Sequence, residues 1–202
     1  MISVIHVRTR MFLLRRKLAG LGRGSVFQSP GPRLEGADRI LVGDRVFARP
    51  FIRLEALPSS GSPATGPILT IGDGAYLGFH LQVFATRAVR IGRDVYVNGH
   101  VTIYDHYPPL DAGPPVAGGI APPHALVPRV GEVSIGDRAW LGWGSVVLPG
   151  ARIGTHAVLG ANSVAMEDIP DYCVAVGNPA VVIRRYEPAQ GAWVSVDPRR
   201  SA

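Results

Sequence analysis

The C-terminal third of the chain carries aliphatic residues at a constant step of six. They are Ile135, Leu141, Val147, Ile153 and Leu159, and four of the five are followed by glycine. An amphipathic helix would repeat every three to four residues and a half-buried strand every two, so this period indicates a repeat architecture. A second series, four residues after the first, contains only small side chains: Ala139, Ser145, Ala151, Ala157 and Ser163.

The two series are typical of a chain that turns a tight corner every six residues. The aliphatic residue points into a narrow interior, and the small residue fits where two flat faces meet. Three faces close a coil of 18 residues, which predicts that Ile153 stacks on Ile135 and Leu159 on Leu141. Parallel coils then pair at a strand spacing of about 4.8 Å. The expected fold is therefore all-β, a parallel β-helix.

The same register can be followed back towards the N-terminus, with two interruptions. A corner near Thr86 carries two extra residues, and 26 residues are inserted between the faces that begin at Ile103 and Ile135. We expect a β-helix domain over 33–185, with a proline-rich loop insert at about 107–132 and a mobile tail over 186–202. A long loop that breaks a regular repeat is usually functional.

Length and charge narrow the possible partners. At 202 residues a single domain is the default. The net charge of +6 and the pI of about 10.1 suit an anionic partner, such as a nucleotide-bearing cofactor, a phosphorylated glycan carrier or a membrane surface. Basic runs with interleaved aromatic residues are absent from the sequence, so nucleic acid is not expected.

The first 32 residues are expected to form a basic arm or short helix. They contain an apolar patch flanked on both sides by Arg and Lys, without the pattern of a cleaved signal. The chain also has no apolar run near 20 residues, so a transmembrane helix is not expected. We expect a cytoplasmic chain whose basic arm could associate weakly with a membrane surface.

Several spaced motifs connect the chain to a known family: Ile103-Tyr104-Asp105-His106, Ala139-Trp140-Leu141-Gly142, Val147-Leu148-Pro149-Gly150, Glu167-Asp168-Ile169-Pro170 and Gly177-Asn178-Pro179-Ala180. With these motifs, the chain from about 42 to 185 resembles the hexapeptide-repeat acyltransferases, most closely the sugar and polysaccharide O-acetyltransferases. The resemblance implies a single-stranded left-handed parallel β-helix; spacing alone does not give handedness. It also implies acetyl-CoA as cosubstrate, no metal, a homotrimer, and a sugar or polysaccharide acceptor.

His106 matches the catalytic histidine of that family, at the point where the repeat meets the inserted loop. Acetyl transfer needs a base near neutrality, because the acceptor hydroxyl must lose its proton as it attacks the thioester, and imidazole suits that task. The alternative is a surface histidine at a turn. Asp105 could orient the ring or bind the sugar substrate.

Gly142 and Gly144 match the family positions that line acyl-CoA, and Gly160 falls beside Gly142 one coil later. A backbone N–H at a glycine corner can approach a ligand closely and could hold the oxyanion of the tetrahedral intermediate. The alternative is that these glycines only turn corners. Trp140, like Trp143, could pack against the pantetheine or the acceptor, or simply cover the surface of the β-helix.

The chain departs from the family where phosphate-facing cations are usual, since Glu167 and Val181 stand at those positions. Arg184 or Arg185 could supply the missing charge at the nucleotide end of the cofactor, or the two could be a solvated terminal pair. His80 and Ala85 stand near the places of the acceptor-binding Asn and Asp of maltose-type enzymes, which favours the polysaccharide branch. A non-catalytic scaffold or glycan-binding module is the competing interpretation.

His80 and His100 are both expected at one corner, where their rings would stack. Stacked imidazoles could bind a metal, as in the γ-type carbonic anhydrases, which share this β-helix. The close pair of metal-binding histidines of that family is not present in its usual spacing. The step from His100 to His106 spans the wrong corner. We therefore expect no metal.

Overall fold

The computed structural model describes residues 4–59, 65–107 and 128–196, with side chains from Thr9 onward. These ranges contain one α-helix, α1 (Val4–Lys17), and a short 3-10 turn (Ala37–Arg39). The remaining elements are short strands: β1 Gly20–Leu21, β2 Val26–Phe27, β3 Arg33–Glu35, β4 Ile40–Val42, β5 Phe47–Ala48, β6 Arg53–Ala56, β7 Leu69–Ile71, β8 Tyr76–Leu77, β9 Gln82–Ala85, β10 Val89–Ile91, β11 Tyr96–Val97, β12 Thr102–Tyr104, β13 His106–Tyr107, β14 Arg129–Val130, β15 Val133–Ile135, β16 Trp140–Leu141, β17 Val146–Val147, β18 Arg152–Ile153, β19 Val158–Leu159, β20 Val164–Ala165, β21 Cys173–Gly177, β22 Ala180–Glu187 and β23 Ala192–Ser195.

Successive strands belong to three parallel sheets, which form the faces of a prism. The first face has the strand order β1-β4-β7-β10-β15-β18. The second face runs β2-β5-β8-β11-β16-β19-β21 and is extended by the antiparallel strands β22 and β23. The third face has the order β3-β6-β9-β12-β17-β20. The expected left-handed parallel β-helix is therefore confirmed as the fold.

The six-residue register holds through the regular coils. Ile135 pairs with Ile153, and Leu141 pairs with Leu159, as the 18-residue repeat predicts. Ile91 pairs with Ile135 across the insert, so the interrupted coil returns to the same register. All of these side chains are buried, and so is the series of small corner residues. The aliphatic and small positions together form one continuous core.

Pairing begins one coil earlier than the sequence analysis expected. Arg33, where the β-helix domain is predicted to begin, lies in the third strand of an initial coil that starts at Gly20. In this coil the residues that pair with inward positions are Leu21, Phe27 and Leu34. Their spacing is six and then seven, so the extra residue hides the repeat from a search for constant steps.

Both ends of the prism are covered. At the N-terminal end, α1 packs Leu14 and Leu18 against the core, and the Arg10 guanidinium donates to the carbonyl of Phe27. At the C-terminal end, β22 and β23 form an antiparallel hairpin that continues to Ser195. A mobile tail is predicted from residue 186, but the hairpin with its turn occupies residues 186–195; residues 197–202 lie outside the described ranges. Within those ranges, no helix is both long and apolar enough to cross a bilayer.

Candidate active site

His106 lies at the stem of the insert, where the chain leaves the third face. Its strand β13 pairs antiparallel with β14, in the register His106 to Val130 and Tyr107 to Arg129. The N–H of Gly131 donates to the backbone carbonyl of Asp105 at 2.8 Å, which closes the base of this stem. Residues 108–127 of the predicted insert lie outside the described ranges. The predicted position of the histidine, at the junction of repeat and loop, is the observed one.

The carboxylate of Asp105 is fully buried beneath this junction and holds the widened corner of the preceding coil. Its two oxygens accept hydrogen bonds from the backbone N–H groups of Thr86, Arg87 and Ala88 at 2.7 to 3.0 Å, and from the Thr86 hydroxyl at 3.0 Å. Burial alone would raise the pKa of Asp105. The hydrogen bonds from His106, Arg87 and Thr86 outweigh burial and lower that pKa below its ordinary value. The carboxylate is therefore ionised near neutrality.

The same carboxylate orients the His106 ring. The ring Nδ1 lies 3.1 Å from Oδ1 of Asp105, and about a third of the histidine side chain is exposed. An ionised carboxylate can only accept a hydrogen bond, so Nδ1 carries the proton in this contact. The neutral ring then keeps its lone pair on Nε2, which is the nitrogen not held by Asp105.

Aromatic side chains surround the exposed part of the ring. An open depression of about 270 Å³ is lined by Phe84, Tyr104, His106 and Tyr107. Partial burial and the neighbouring Tyr107 raise the pKa of Tyr104, so its phenol stays protonated and can donate a hydrogen bond. The guanidinium of Arg53 lies 5.3 Å from the centre of the Phe84 ring. The depression thus offers apolar rings and a few hydrogen-bonding groups beside an imidazole.

Of the two roles predicted for Asp105, its contacts support orienting the His106 ring rather than binding the sugar. None of its side chain is exposed, and its oxygens are occupied by the corner at Thr86 and by His106. Sequence reasoning missed the contribution of Thr86, Arg87 and Ala88 to this site. The signal was present, because the two-residue excess near Thr86 marks the widened corner that the carboxylate fills.

The amides of Gly142 and Gly144 do not fit the oxyanion role expected of them. The N–H of Gly142 donates to the carbonyl of Leu159 at 2.7 Å, and that of Gly144 donates to the carbonyl of Gly99 at 3.0 Å. Both donors are consumed by pairing between coils. The N–H of Trp143, between them, has no hydrogen-bond partner within the described ranges.

Corner geometry accounts for the glycine at 142. A Cβ at this position would lie 2.5 Å from the backbone nitrogen of Ala161 and 2.6 Å from the carbonyl carbon of Gly160, so only glycine fits without a backbone shift. The amide of Gly160 is likewise bonded to the carbonyl of Ala175 at 2.8 Å. The contacts thus agree with the alternative that these glycines turn corners.

The other predicted site residues are not brought together with His106 within one chain. Trp140 is exposed in the middle of the second face, in register with Tyr96. Arg184 is exposed on the terminal hairpin, in register with Val174. The glycine corner joins the second and third faces, whereas His106 leaves the opposite edge of the third face.

The expected stack of His80 on His100 is confirmed and is longer than expected. The ring of Phe51 stacks on His80 at 5.1 Å, His80 on His100 at 4.7 Å, and Trp143 tilts over His100 at 5.0 Å. A Cβ at Gly99 would lie 2.5 Å from the Trp143 ring, so glycine at 99 lets that ring lie over the corner. Within the part of the chain that the structure describes, no cluster of three or more His, Cys, Asp or Glu could hold a metal ion.

The prism of six-residue steps, with an imidazole at its interrupted edge, is similar to the hexapeptide-repeat acyltransferases, and relatives of this chain carry O-acetyltransferase names. WbbJ of Escherichia coli K12, whose assignment as a lipopolysaccharide biosynthesis O-acetyl transferase is provisional, is 32% identical over 127 residues, which cover 62% of this chain and 65% of WbbJ. Galactoside O-acetyltransferase of Lactococcus lactis is 35% identical over 120 residues, covering 59% of this chain and 54% of that enzyme. No family model matches the chain.

A solved structure shares the fold over almost the whole chain. AntD, an N-acyltransferase from Bacillus cereus solved in complex with dTDP and 3-hydroxybutyryl-CoA, superposes with a TM-score of 0.73 and covers 90% of each chain at 16% identity. At this identity the likeness concerns the fold alone. The chain covers less than two-thirds of the length of the two relatives above.

Proposed function

We propose that this protein is an acetyl-CoA-dependent O-acetyltransferase that moves acetyl to a hydroxyl of a sugar in surface-polysaccharide biosynthesis. The observation that carries the proposal is the contact between His106 and the buried, ionised carboxylate of Asp105. In the neutral ring this contact keeps the proton on Nδ1 and the lone pair on Nε2, beside an open, aromatic-lined depression. This is the arrangement that a general base for a hydroxyl nucleophile requires.

In the proposed reaction, Nε2 of His106 takes the proton of the acceptor hydroxyl as the oxygen attacks the thioester carbonyl. The tetrahedral intermediate collapses with loss of the CoA thiolate, which leaves as the thiol after taking that proton from the imidazolium. The products are the acetyl ester and CoA, and no covalent enzyme intermediate forms. Asp105 acts by positioning the ring and by stabilising the imidazolium through its negative charge.

The oxyanion needs a donor other than the two glycine amides. Among the described residues the N–H of Trp143 has no partner, so we assign it this role in place of Gly142 and Gly144. His106 and Trp143 lie at different edges of the third face. The proposal therefore includes a homotrimer in which His106 of one subunit faces the Trp143 corner of its neighbour.

One relative and one solved structure support a sugar as the acceptor and an acyl-CoA as the donor. By its name, galactoside O-acetyltransferase acts on a sugar, and AntD was solved with an acyl-CoA. The provisional assignment of WbbJ to lipopolysaccharide biosynthesis supports a surface-polysaccharide acceptor.

Two exposed side chains complete the proposed site. Arg184, on the terminal hairpin, is proposed to contact the nucleotide end of the cofactor, and Trp140 is proposed to border the acceptor. A cytoplasmic location, where acetyl-CoA is available, is part of the same proposal.

A non-catalytic glycan-binding scaffold is the second candidate. It is favoured by the acidic and apolar residues, Glu167 and Val181, at positions where the family usually carries cations. Calorimetry with CoA separates the two candidates. The enzyme should bind CoA and acetyl-CoA, whereas a scaffold should bind neither.

The activity is tested by following CoA release from acetyl-CoA with nucleotide-sugars and glycan fragments as acceptors. His106→Ala should retain the fold and CoA binding and lose about 10²- to 10⁴-fold in transfer rate, because a positioned base contributes that much. His156→Ala, which removes an imidazole from a different corner, is the matched control and should transfer acetyl at the wild-type rate. Wild-type turnover by His106→Ala would remove His106 from the mechanism.

A further inference from the structure

The positive charge of the protein is concentrated at its N-terminal end. The first 34 residues contain seven Arg and Lys side chains and no Asp or Glu. The other 168 residues contain 14 basic and 15 acidic side chains, so the rest of the chain is nearly neutral. The net charge of +6 therefore comes from the segment that contains α1 and the first coil. Such asymmetry is typical of a segment that meets an anionic surface.

The helix is fixed to the end of the prism by one of its sides. Leu14 and Leu18 are buried in the core, and Met11 packs against it. Arg10 donates to the carbonyl of Phe27, and Arg15 donates to that of Gly22 at 3.3 Å. These contacts fix which side of α1 faces solvent.

The solvent side of the helix combines apolar and cationic groups. Phe12 is 59% exposed and Leu13 52% exposed, and Arg16 and Lys17 beside them are exposed as well. The Arg16 guanidinium lies 5.9 Å from the centre of the Phe12 ring. Within the described ranges, no carboxylate forms an ion pair with Arg16 or Lys17, so both charges are available to a partner.

We propose that this end of the prism docks on an anionic lipid bilayer through the exposed side of α1. Each Lys or Arg near such a surface is attracted to the lipid head groups, and exposed Phe and Leu side chains can enter the boundary between head groups and acyl chains. The helix then lies on the surface rather than crossing it. This inference goes beyond the proposed acetyl transfer.

Binding is measured by co-sedimentation of the full-length protein with phospholipid vesicles, without acetyl-CoA. The protein should bind vesicles containing one-third phosphatidylglycerol and remain unbound with phosphatidylcholine alone. Binding should weaken as salt is raised from about 0.1 to about 0.5 M, because the charges become screened. Binding to heparin or RNA but not to anionic vesicles would overturn the proposal in favour of a polyanion partner, as would equal binding to both kinds of vesicle.

Two double variants separate charge from apolar contact. Arg16→Gln with Lys17→Gln should weaken vesicle binding about thirtyfold, because each cation contributes about a factor of five. The control pair Arg90→Gln and Arg138→Gln removes the same charge from exposed sites far along the chain and should bind like wild type.

Phe12→Ser with Leu13→Ser keeps the net charge and should also weaken binding, since it removes the side chains that enter the bilayer. Circular dichroism checks that each variant keeps its fold. Equal loss in the Arg90 and Arg138 control would show that net charge alone drives binding and would contradict docking through α1. Acetyl transfer to a soluble acceptor is assayed separately, so failure of docking and failure of the proposed enzyme activity give different results.

Discussion

The corner at Thr86 and the corner at Gly142 satisfy their backbone amides in opposite ways. At Gly142 the chain keeps the six-residue step, and the glycine amide is bonded to the next coil. At Thr86 two extra residues widen the corner, and three consecutive amides turn to the buried carboxylate of Asp105 instead. The regular corner uses its two glycine amides for pairing between coils, whereas the widened corner fixes a charged group that can in turn hold His106.

The largest expected change in stability comes from removing that carboxylate. Asp105→Ala should lower the free energy of unfolding by about 3 to 5 kcal/mol, because it removes a fully buried carboxylate and leaves three consecutive backbone N–H groups without their charged acceptor. Denaturant titration monitored by circular dichroism measures the loss.

The matched control is Asp137→Ala. Asp137 caps the regular corner at Arg93 and pairs with its guanidinium at the surface, so its loss should cost about 1 kcal/mol. Equal losses in the two variants would mean that the widened corner does not depend on its buried carboxylate.

A smaller loss is expected from crowding the regular corner. Gly142→Ala places a Cβ against backbone atoms of the next coil and should cost about 1 to 3 kcal/mol. Gly66→Ala is the control, since a Cβ there meets nothing within 4 Å, and it should change stability by less than about 0.5 kcal/mol. A Gly142→Ala protein as stable as wild type would mean that this amide is not locked, and would reopen its role as an oxyanion donor.

The regular part of the fold could be predicted because its information is local and repeated. Each step of six residues requires one inward aliphatic residue and one small corner residue. The pairing of Ile135 with Ile153 could therefore be predicted from spacing alone. The first coil could not, because the step between Phe27 and Leu34 is seven. The second strand of the terminal hairpin was also missed, since its antiparallel pairing with the first follows no six-residue period.

The site was only partly predictable for a related reason. His106 could be found from its place beside the insert and from the resemblance of its motif. The role of Asp105 depends on a contact with Thr86, 19 residues earlier; the two extra residues mark a widened corner there, but they do not identify the side chain that fills it. The glycine positions correctly indicated a corner. Whether a corner amide is available to a ligand depends on whether a carbonyl of the next coil accepts its hydrogen bond, as the carbonyl of Leu159 does for Gly142.

The most direct test of the account is the protonation of the His106 ring, read from its ¹⁵N chemical shifts by NMR. Held by an ionised carboxylate, the neutral ring should carry its proton on Nδ1 and show an unprotonated Nε2 able to act as the base. His106→Ala identifies the signals by their disappearance. A neutral ring protonated on Nε2, or one that exchanges freely between the two forms, would contradict the claim that the widened corner fixes the base through Asp105.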